Sequence, residues 1–186
     1  MESFFASTGA VALAEIGDKT QLLALMLASR YRKPLPIACG ILIATLLNHA
    51  LAAWGGSVLA GLLQGPWLRW IVGFSFIAMA AWTLIPDRLD AGDQRRFDRY
   101  GPLLATAISF FLVEIGDKTQ IATVALAAKY QAVALVTAGT TLGLMLANVP
   151  MLWLGNKAAG KLPLHWIRFA AAALFAVLGV AALLFA

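Results

Sequence analysis

The chain has 186 residues, of which 61% are apolar and 12% are charged, and its mean hydropathy is +0.83. This composition excludes a soluble globular domain and is typical of an integral membrane protein. The formal net charge is +5, and the presence of only one cysteine, Cys39, excludes an intramolecular disulfide.

Six apolar stretches follow one another along the chain, bounded by proline, glycine and basic clusters. Each is near or above the ~20 residues that cross ~30 Å of hydrocarbon as an α-helix. The stretches are continuously apolar and do not alternate with polar residues, which argues against a β-barrel. The sequence therefore predicts an all-α integral membrane protein with six transmembrane helices. Their approximate bounds are 4–29, 35–61, 67–85, 102–128, 132–155 and 164–186.

The first and fourth segments carry charge near their middle. The heptapeptide Glu-Ile-Gly-Asp-Lys-Thr-Gln occupies residues 15–21 and recurs at 114–120, an offset of 99 residues. A charged side chain at the centre of a bilayer costs about 2.5–3.5 kcal/mol on insertion scales. Because such a cost is rarely retained without a function, the two copies predict a functional site.

A charged segment divides the chain into two halves. Residues 86–101 contain four Asp and four Arg, which predicts a cytoplasmic linker. It separates a first three-helix repeat, residues 1–85, from a second, residues 102–186. Because three crossings is an odd number, the second repeat must enter the membrane in the opposite orientation. The expected architecture is an inverted repeat, which is common among secondary transporters.

The two halves resemble one another beyond the heptapeptide. A glycine, an asparagine and a tryptophan recur in the second segment of each half, with a slip of one residue. This similarity indicates an internal duplication. The matching positions are Gly40 with Gly139, Asn48 with Asn148, and Trp54 with Trp153.

Basic residues are unevenly divided between the two predicted sides of the membrane. Ten on one side against two on the other is a strong positive-inside signal, which places both termini outside the cytoplasm. The basic excess is therefore a topology determinant, and we expect no nucleic-acid partner. The ten are Arg30, Arg32, Lys33, Arg88, Arg95, Arg96, Arg99, Lys157, Lys161 and Arg168; the two are Arg69 and Lys129.

Inverted symmetry brings the two motifs together where the first and fourth helices cross near the bilayer midplane. Within each motif Glu, Asp and Gln follow one another at intervals of three residues, which predicts that all three line one side of a helix. Gly17 and Gly116 lie between the acids, where a residue without a Cβ permits a helix break or close helix approach. A broken helix would expose backbone carbonyls, which also bind cations.

These side chains predict an all-oxygen site for a hard divalent cation: magnesium, calcium or manganese. Lys19 follows Glu15 by four residues and is positioned to pair with it. With four carboxylates and two lysines ionised, the site carries a net charge of −2. The candidate ligands are Glu15, Asp18, Thr20, Gln21, Glu114, Asp117, Thr119 and Gln120, with Asn48, Asn148, Lys19 and Lys118 as further candidates.

Protons and a cation would compete for the same clustered carboxylates, and this competition supplies a coupling mechanism. Inward proton flow could then drive outward cation flow. Cys39, His49 and His165 are too few to argue for zinc or copper. His49, beside Asn48, is a candidate proton relay.

The motif Glu-x-Gly-Asp-(Lys or Arg)-(Thr or Ser), present twice in a membrane protein of six or seven helices, resembles the signature of the calcium/manganese cation:proton exchanger family. The eukaryotic members of that family are Golgi and chloroplast transporters, and its bacterial members are manganese exporters. The resemblance covers essentially the whole chain. It is carried by Glu15, Gly17, Asp18, Lys19 and Thr20, and by Glu114, Gly116, Asp117, Lys118 and Thr119.

The resemblance implies a secondary transporter that exports manganese, or calcium, in exchange for protons by alternating access. It implies no enzyme activity and no permanently bound cofactor, since the metal ion and the protons are the transported species. The compact length is similar to that of bacterial inner-membrane members. The assembly is open between a monomer and a homodimer in the lipid bilayer.

Three alternatives remain at this stage. A passive divalent-cation channel would use the same ligands without proton coupling. An intramembrane aspartyl protease would use Asp18 and Asp117, each preceded by glycine in opposed membrane helices, but it explains neither the glutamates nor the lysines. A scaffold protein without transport would tolerate neutral replacements of all four acids.

Overall fold

The computed structural model describes residues 1–63, 67–85, 100–154 and 164–185. Within these ranges the chain is helical and contains no strand, which confirms the all-α prediction. The predicted linker, except for its last two residues, lies outside this part, as do Arg88, Arg95, Arg96, Arg99, Lys157 and Lys161. The helices are α1 Glu2–Glu15, α2 Lys19–Tyr31, α3 Pro34–Leu62, α4 Trp67–Thr83, α5 Gly101–Glu114, α6 Lys118–Tyr130, α7 Val133–Leu154 and α8 Leu164–Phe185.

Three of these helices contain a stretch long and apolar enough to cross a membrane. The stretches are Pro34–Leu62, Val133–Trp153 and His165–Leu184, and two shorter apolar helices are Trp67–Thr83 and Gly101–Glu114. The predicted second, third, fifth and sixth segments each correspond to one helix. The first and fourth segments are each divided into two helices, α1 with α2 and α5 with α6, and both divisions fall inside the heptapeptide.

Tight reversals connect the second half-helix of each motif segment to the long helix that follows. Arg32 at the end of α2 and Gln131 at the end of α6 are left-handed, with φ of 52° and 50°. Their backbone N–H groups donate to Ala28 and Ala127 over 2.9 Å, which satisfies carbonyls that a helix end would leave open. After the first reversal Pro34 starts α3. Proline is suitable there because a backbone N–H in the first turn of a helix would have no acceptor within the helix.

Large apolar side chains cover the outside of the described bundle, whereas the acidic side chains of both motifs are buried inside it. Leu47 is 56% exposed and Trp54 is 62% exposed, whereas Glu15 and Glu114 are 0% exposed. A soluble protein with this surface would expose a large apolar patch, whereas lipid is a suitable solvent for it. The arrangement is that of a membrane protein that buries charged side chains inside an apolar bundle.

Two helix contacts occur at matching positions in the two halves of the chain. A Cβ added to Gly40 in α3 would lie 2.6 Å from the carbonyl oxygen of Leu103 in α5. A Cβ added to Gly139 in α7 would lie 2.5 Å from the carbonyl oxygen of Phe4 in α1. Both pairs of positions differ by the 99 residues that separate the motifs. The first helix of each half therefore packs against the long helix of the other half, at a glycine that allows close approach.

The start of α1 and the end of α6 lie at the same end of the bundle. The hydroxyl of Tyr130 donates to the Glu2 carboxylate over 3.4 Å, and Ser57 in α3 donates to the Gln131 side chain over 3.4 Å. Partial burial, together with the negative charge and hydrogen bond of Glu2, raises the pKa of Tyr130 above its ordinary value.

The third helix of each half forms a separate pair. Phe76 of α4 and Phe175 of α8 stack with ring centroids 6.3 Å apart, and both are buried. A Cβ added to Gly73 would lie 2.5 Å from Leu183, so this pair is also closely packed. The apolar cluster that includes these aromatic rings continues into α6 through Leu126.

Candidate metal site

Each heptapeptide consists of two helix ends joined by a sharp turn. Glu15 is the last residue of α1, Ile16 is extended with φ −67° and ψ 117°, and Gly17 has φ +82°. Asp18 then caps the start of α2, where its side chain accepts the Thr20 N–H over 3.4 Å. Glycine is favoured at position 17 because residues with a Cβ rarely adopt a backbone conformation with this positive φ.

The second heptapeptide has the same construction. Glu114 ends α5, Gly116 has φ +75°, and Asp117 caps α6 by accepting the Thr119 N–H over 3.4 Å. The expectation that Glu, Asp and Gln of each motif line one side of a continuous helix is wrong, because neither motif is continuously helical. Glu lies at the carboxyl end of one helix and Asp at the amino end of the next.

The two glutamines hold these turns closed. Gln21 accepts the Gly17 N–H over 2.9 Å, and Gln120 accepts the Gly116 N–H over 2.7 Å. The amide of Gln21 also donates to the Ala147 carbonyl in α7 over 2.9 Å. In this conformation the amide oxygens of both predicted ligands are therefore engaged with the backbone.

Lysines of each motif pair with aspartates of the other. The ammonium of Lys19 lies 2.8 Å from Asp117, and that of Lys118 lies 3.1 Å from Asp18. The side chains differ in exposure, 22% for Lys19 and 4% for Lys118. The interval of four residues suggested that Lys19 pairs with Glu15. It did not predict these crossed pairs, because such an interval describes contacts within one helix only.

Three carboxylates converge between the two turns. Ligand oxygens of Glu15, Asp18 and Asp117 all lie within 4.8 Å of one another, and all three residues are buried. Carboxylate oxygens at this spacing are suitable ligands for a hard divalent cation. We call these three residues the carboxylate cluster.

The glutamate in the cluster and its counterpart, Glu114, are each held by an asparagine from the other half. Asn148 in α7 donates to Glu15 over 3.3 Å, and Thr20 also donates to this carboxylate. Asn48 in α3 donates to Glu114 over 3.5 Å and to the Phe111 carbonyl over 3.0 Å. The predicted match between Asn48 and Asn148 thus extends to the groups that they contact.

Thr119 lies beside its own aspartate, with its hydroxyl 3.3 Å from the Asp117 carboxylate. Thr45, which sequence reasoning missed, donates to Glu114 over 3.3 Å from α3. It precedes Asn48 by three residues and so shares its helix face. That spacing is a signal from which Thr45 could have been found.

Helix ends add fixed partial charges around the cluster. The amino ends of α2 and α6 carry partial positive charge beside Asp18 and Asp117. The carboxyl ends of α1 and α5 carry partial negative charge beside Glu15 and Glu114. The broken helices therefore stabilise the aspartates as anions and favour a cation near the glutamates.

Comparisons with known proteins agree with this chemistry. A protein-family model described as "Divalent cation/proton antiporter GDT1" matches residues 3–91 and 102–186. A Vibrio cholerae protein named "Putative manganese exporter" is 54% identical over 176 residues, which cover 94% of this chain and 87% of the relative. No solved structure matches the chain.

Plant proteins are among the more distant relatives. "GDT1-like protein 5" of Arabidopsis thaliana is 25% identical over 221 residues, covering 99% of this chain and 96% of the relative. "GDT1-like protein 4" of Oryza sativa subsp. indica is 30% identical over 167 residues, covering 76% of this chain and 59% of the relative. With a family match on both sides of the linker and a close bacterial relative, the chain belongs to the divalent cation/proton antiporter family GDT1.

Proposed function

We propose that this protein exports manganese in exchange for protons by alternating access, with calcium as the alternative substrate. The observation that carries the proposal is the carboxylate cluster, in which acids from both halves of a family antiporter converge at two helix breaks. Family membership makes the protein a transporter and not an enzyme, which removes the aspartyl protease alternative.

The cluster supports a cation substrate through its charge balance. In the structure Lys19 and Lys118 lie against Asp117 and Asp18 and supply positive charge beside the cluster. An arriving divalent cation would replace this ammonium charge at the carboxylates. The lysines would then move away from the aspartates, a displacement that links ion binding to the position of both half-helices.

Proton coupling follows from the same acids. A carboxylate binds a metal only when it is deprotonated, so binding of the cation releases protons and protonation releases the cation. Buried acids at this spacing titrate as a coupled group rather than one by one. One set of carboxylates can therefore serve both transported species in turn.

For the membrane arrangement we propose six spans in two inverted three-helix repeats, with α1–α2 and α5–α6 each forming one broken span. The matching helix contacts at Gly40 and Gly139 support this arrangement. The basic residues support an inner-membrane orientation with both termini outside the cytoplasm. The Tyr130 contact with Glu2 supports a common side for the amino terminus and the α6–α7 connection.

The preference for manganese rests on the Vibrio cholerae relative named "Putative manganese exporter", which is 54% identical to this chain. An oxygen cluster alone does not separate manganese from calcium, since both ions accept carboxylate ligands and differ in size and ligand number. The substrate therefore needs a direct measurement.

The test is uptake of manganese and, separately, calcium into proteoliposomes with and without an imposed pH gradient. We expect manganese movement that depends on the gradient and is lost in Glu114→Gln, which removes one ionisable group of the site at constant size. The matched control is Glu2→Gln, the same change at an exposed terminal position. Flux in wild type that ignores the gradient would favour a passive channel, and full activity of Glu114→Gln would contradict the site.

A further inference from the structure

His49 is a fully buried imidazole beside the site whose hydrogen-bonding capacity is unused. It lies in α3 with 0% of its side chain exposed, and within the described part of the chain neither ring nitrogen has a hydrogen-bond partner. Leaving a buried polar atom unpaired is costly, so such an atom calls for an explanation. A ligand that is present only part of the time is one explanation.

The imidazole faces a carboxylate. His49 Nε2 lies 3.9 Å from Glu114 Oε2, too far for a hydrogen bond. Two ligand atoms that each lie about 2.1 Å from one metal ion are roughly 3 to 4 Å apart unless they lie opposite each other. The two atoms are therefore spaced as ligands of a shared ion are.

Oxygen groups complete the surroundings of Glu114. The Thr45 hydroxyl lies 3.3 Å from one carboxylate oxygen, and the Asn48 amide lies 3.5 Å from the other. We call Glu114, His49, Thr45 and Asn48 the histidine subsite. Glu114 is not among the three acids of the carboxylate cluster, so the subsite is a second position beside it.

The second half of the chain has no equivalent nitrogen ligand. His49 follows Asn48, and the residue that follows the corresponding Asn148 is Val149. The chain's other histidine, His165, lies at the start of α8, where its ring contacts Phe169 at a centroid distance of 4.7 Å. The motif acids and the asparagines of the site therefore recur in both halves, whereas the imidazole nitrogen of His49 is present in only one.

We propose that His49 and Glu114 together bind the transported ion at a second position that selects a first-row transition metal over calcium and magnesium. Calcium and magnesium bind through oxygen atoms in proteins, whereas imidazole nitrogen suits transition metals. The histidine subsite thus supplies the discrimination that an all-oxygen cluster lacks. The inference rests on the proposed transport of a divalent cation and names the residue that sets its class.

The affinity of divalent ions for nitrogen ligands rises from Mn²⁺ to Fe²⁺ and, at Zn²⁺, still exceeds that of Mn²⁺. The subsite should therefore exclude calcium without excluding iron or zinc. Those two ions should compete with manganese more strongly in the wild type than after removal of the imidazole.

The competing explanation is that His49 only orients Glu114 through a hydrogen bond formed after a small rotation. An orienting residue would affect all divalent ions alike and would place no nitrogen on the metal. The experiment must therefore measure selectivity and observe the metal's ligands directly.

The test uses full-length protein purified without a polyhistidine tag, Mn²⁺ as the probe, and His49→Gln with His165→Gln as the matched control. Pulsed electron paramagnetic resonance should detect ¹⁴N coupling to bound Mn²⁺ in the wild type and His165→Gln, and none in His49→Gln. The Mn²⁺ over Ca²⁺ affinity ratio should fall about ten-fold in His49→Gln only, the loss of about one ligand's contribution.

Absence of ¹⁴N coupling in the wild type, or its persistence in His49→Gln, would overturn the proposal. The first of these measurements needs only the wild type, so absence of ¹⁴N coupling there is decisive even if His49→Gln does not fold. Affinities for Mn²⁺ and Ca²⁺ that fall alike in His49→Gln, without nitrogen coupling in the wild type, would assign His49 an orienting role and would also overturn ligation. If the wild type neither binds nor transports Mn²⁺, the proposed function itself fails, which is a different result.

Discussion

The two motifs are identical in sequence, yet their lysines lie in different surroundings. Lys118 is buried against Asp18, with 4% of its side chain exposed, whereas 22% of the Lys19 side chain is exposed beside Asp117. A buried charge pair is costly to disrupt because removal of one partner leaves the other charge without compensation. Asp117 is itself only 2% exposed, but removal of the more exposed Lys19 side chain would let water approach this aspartate and partly replace the ammonium.

The two lysines should therefore differ in their effect on stability. We expect Lys118→Met to lower the free energy of unfolding by about 3–5 kcal/mol, the range for breaking a buried pair. Lys19→Met should lower it by less. Thermal or denaturant unfolding in detergent measures both, with Lys33→Met as a control at an exposed lysine. Addition of Asp18→Asn to Lys118→Met should restore part of the loss, and equal effects of the two lysines would contradict the argument.

At the scale of the elements, the important feature is the break in each motif span. Ile16 and Ile115 are extended, and the glycine that follows each is left-handed. The break turns one span into two helices whose ends carry opposite partial charges at the site. It also moves each aspartate from a helix face to a helix cap.

Gly116 is a position at which backbone conformation can be tested alone. A Cβ there would meet nothing within 4 Å, so any effect of Gly116→Ala comes from its φ of +75°. A residue with a Cβ in the left-handed region costs roughly 1–2 kcal/mol, and we expect a destabilisation of that size with reduced manganese transport.

The control for this variant is Gly9→Ala, which places the same methyl group inside α1, also with nothing within 4 Å. It should be neutral or stabilising, because alanine favours a helix over glycine. Gly116→Asn should be milder than Gly116→Ala, since asparagine tolerates the left-handed region. Unfolding midpoints and manganese flux measure all three, and a harmless Gly116→Ala would show that the turn is not strained.

Long apolar segments could be predicted from the sequence because length and hydropathy are local properties. The bounds of α3, α4, α7 and α8 lie close to the expected ones. Glycine between the acids also indicated where a break is permitted. The prediction of one helix face failed because spacing assumes a continuous helix, and the break changes the relative direction of Glu15 and Asp18.

Contacts between distant parts of the chain could not be read from spacing. The pairing of Lys19 with Asp117 joins residues 98 positions apart and depends on how the two broken spans pack together. The carbonyl of Ala147, which accepts from Gln21, carries no side-chain signal at all. Asn48 and Asn148 were found because they recur between the halves, whereas Thr45 has no threonine at the matching position, Leu144.

At the scale of the whole molecule, each half supplies groups that the other half needs. Asn148 donates a hydrogen bond to Glu15, and Asn48 donates one to Glu114. The lysine of each motif forms an ion pair with the aspartate of the other. Neither half contains the carboxylate cluster alone, because Asp117 comes from one half and Glu15 and Asp18 from the other. The proposed ion site is thus a property of the joined halves.

The proposed orientation can be tested by labelling single cysteines. In a Cys39→Ser background, which removes the exposed native thiol, we expect Glu2→Cys to react with a membrane-impermeant maleimide on spheroplasts. Lys33→Cys should react only after lysis, because the positive-inside signal places it in the cytoplasm. The reverse pattern would invert the orientation, and reaction of both cysteines without lysis would contradict the first crossing.

The substitution of valine for histidine after the repeated asparagine has a consequence for the direction of transport. If the two halves were chemically identical, a two-fold rotation about an axis in the membrane plane would convert the outward-open form of an inverted repeat into the inward-open form, and the two forms would have equal energies. His49 in one half and Val149 in the other remove that equality, as do the unequal exposures of Lys19 and Lys118. Under the proposed cycle the empty protein would therefore favour either the outward-open or the inward-open form, and its affinity for the ion would differ between the two sides of the membrane.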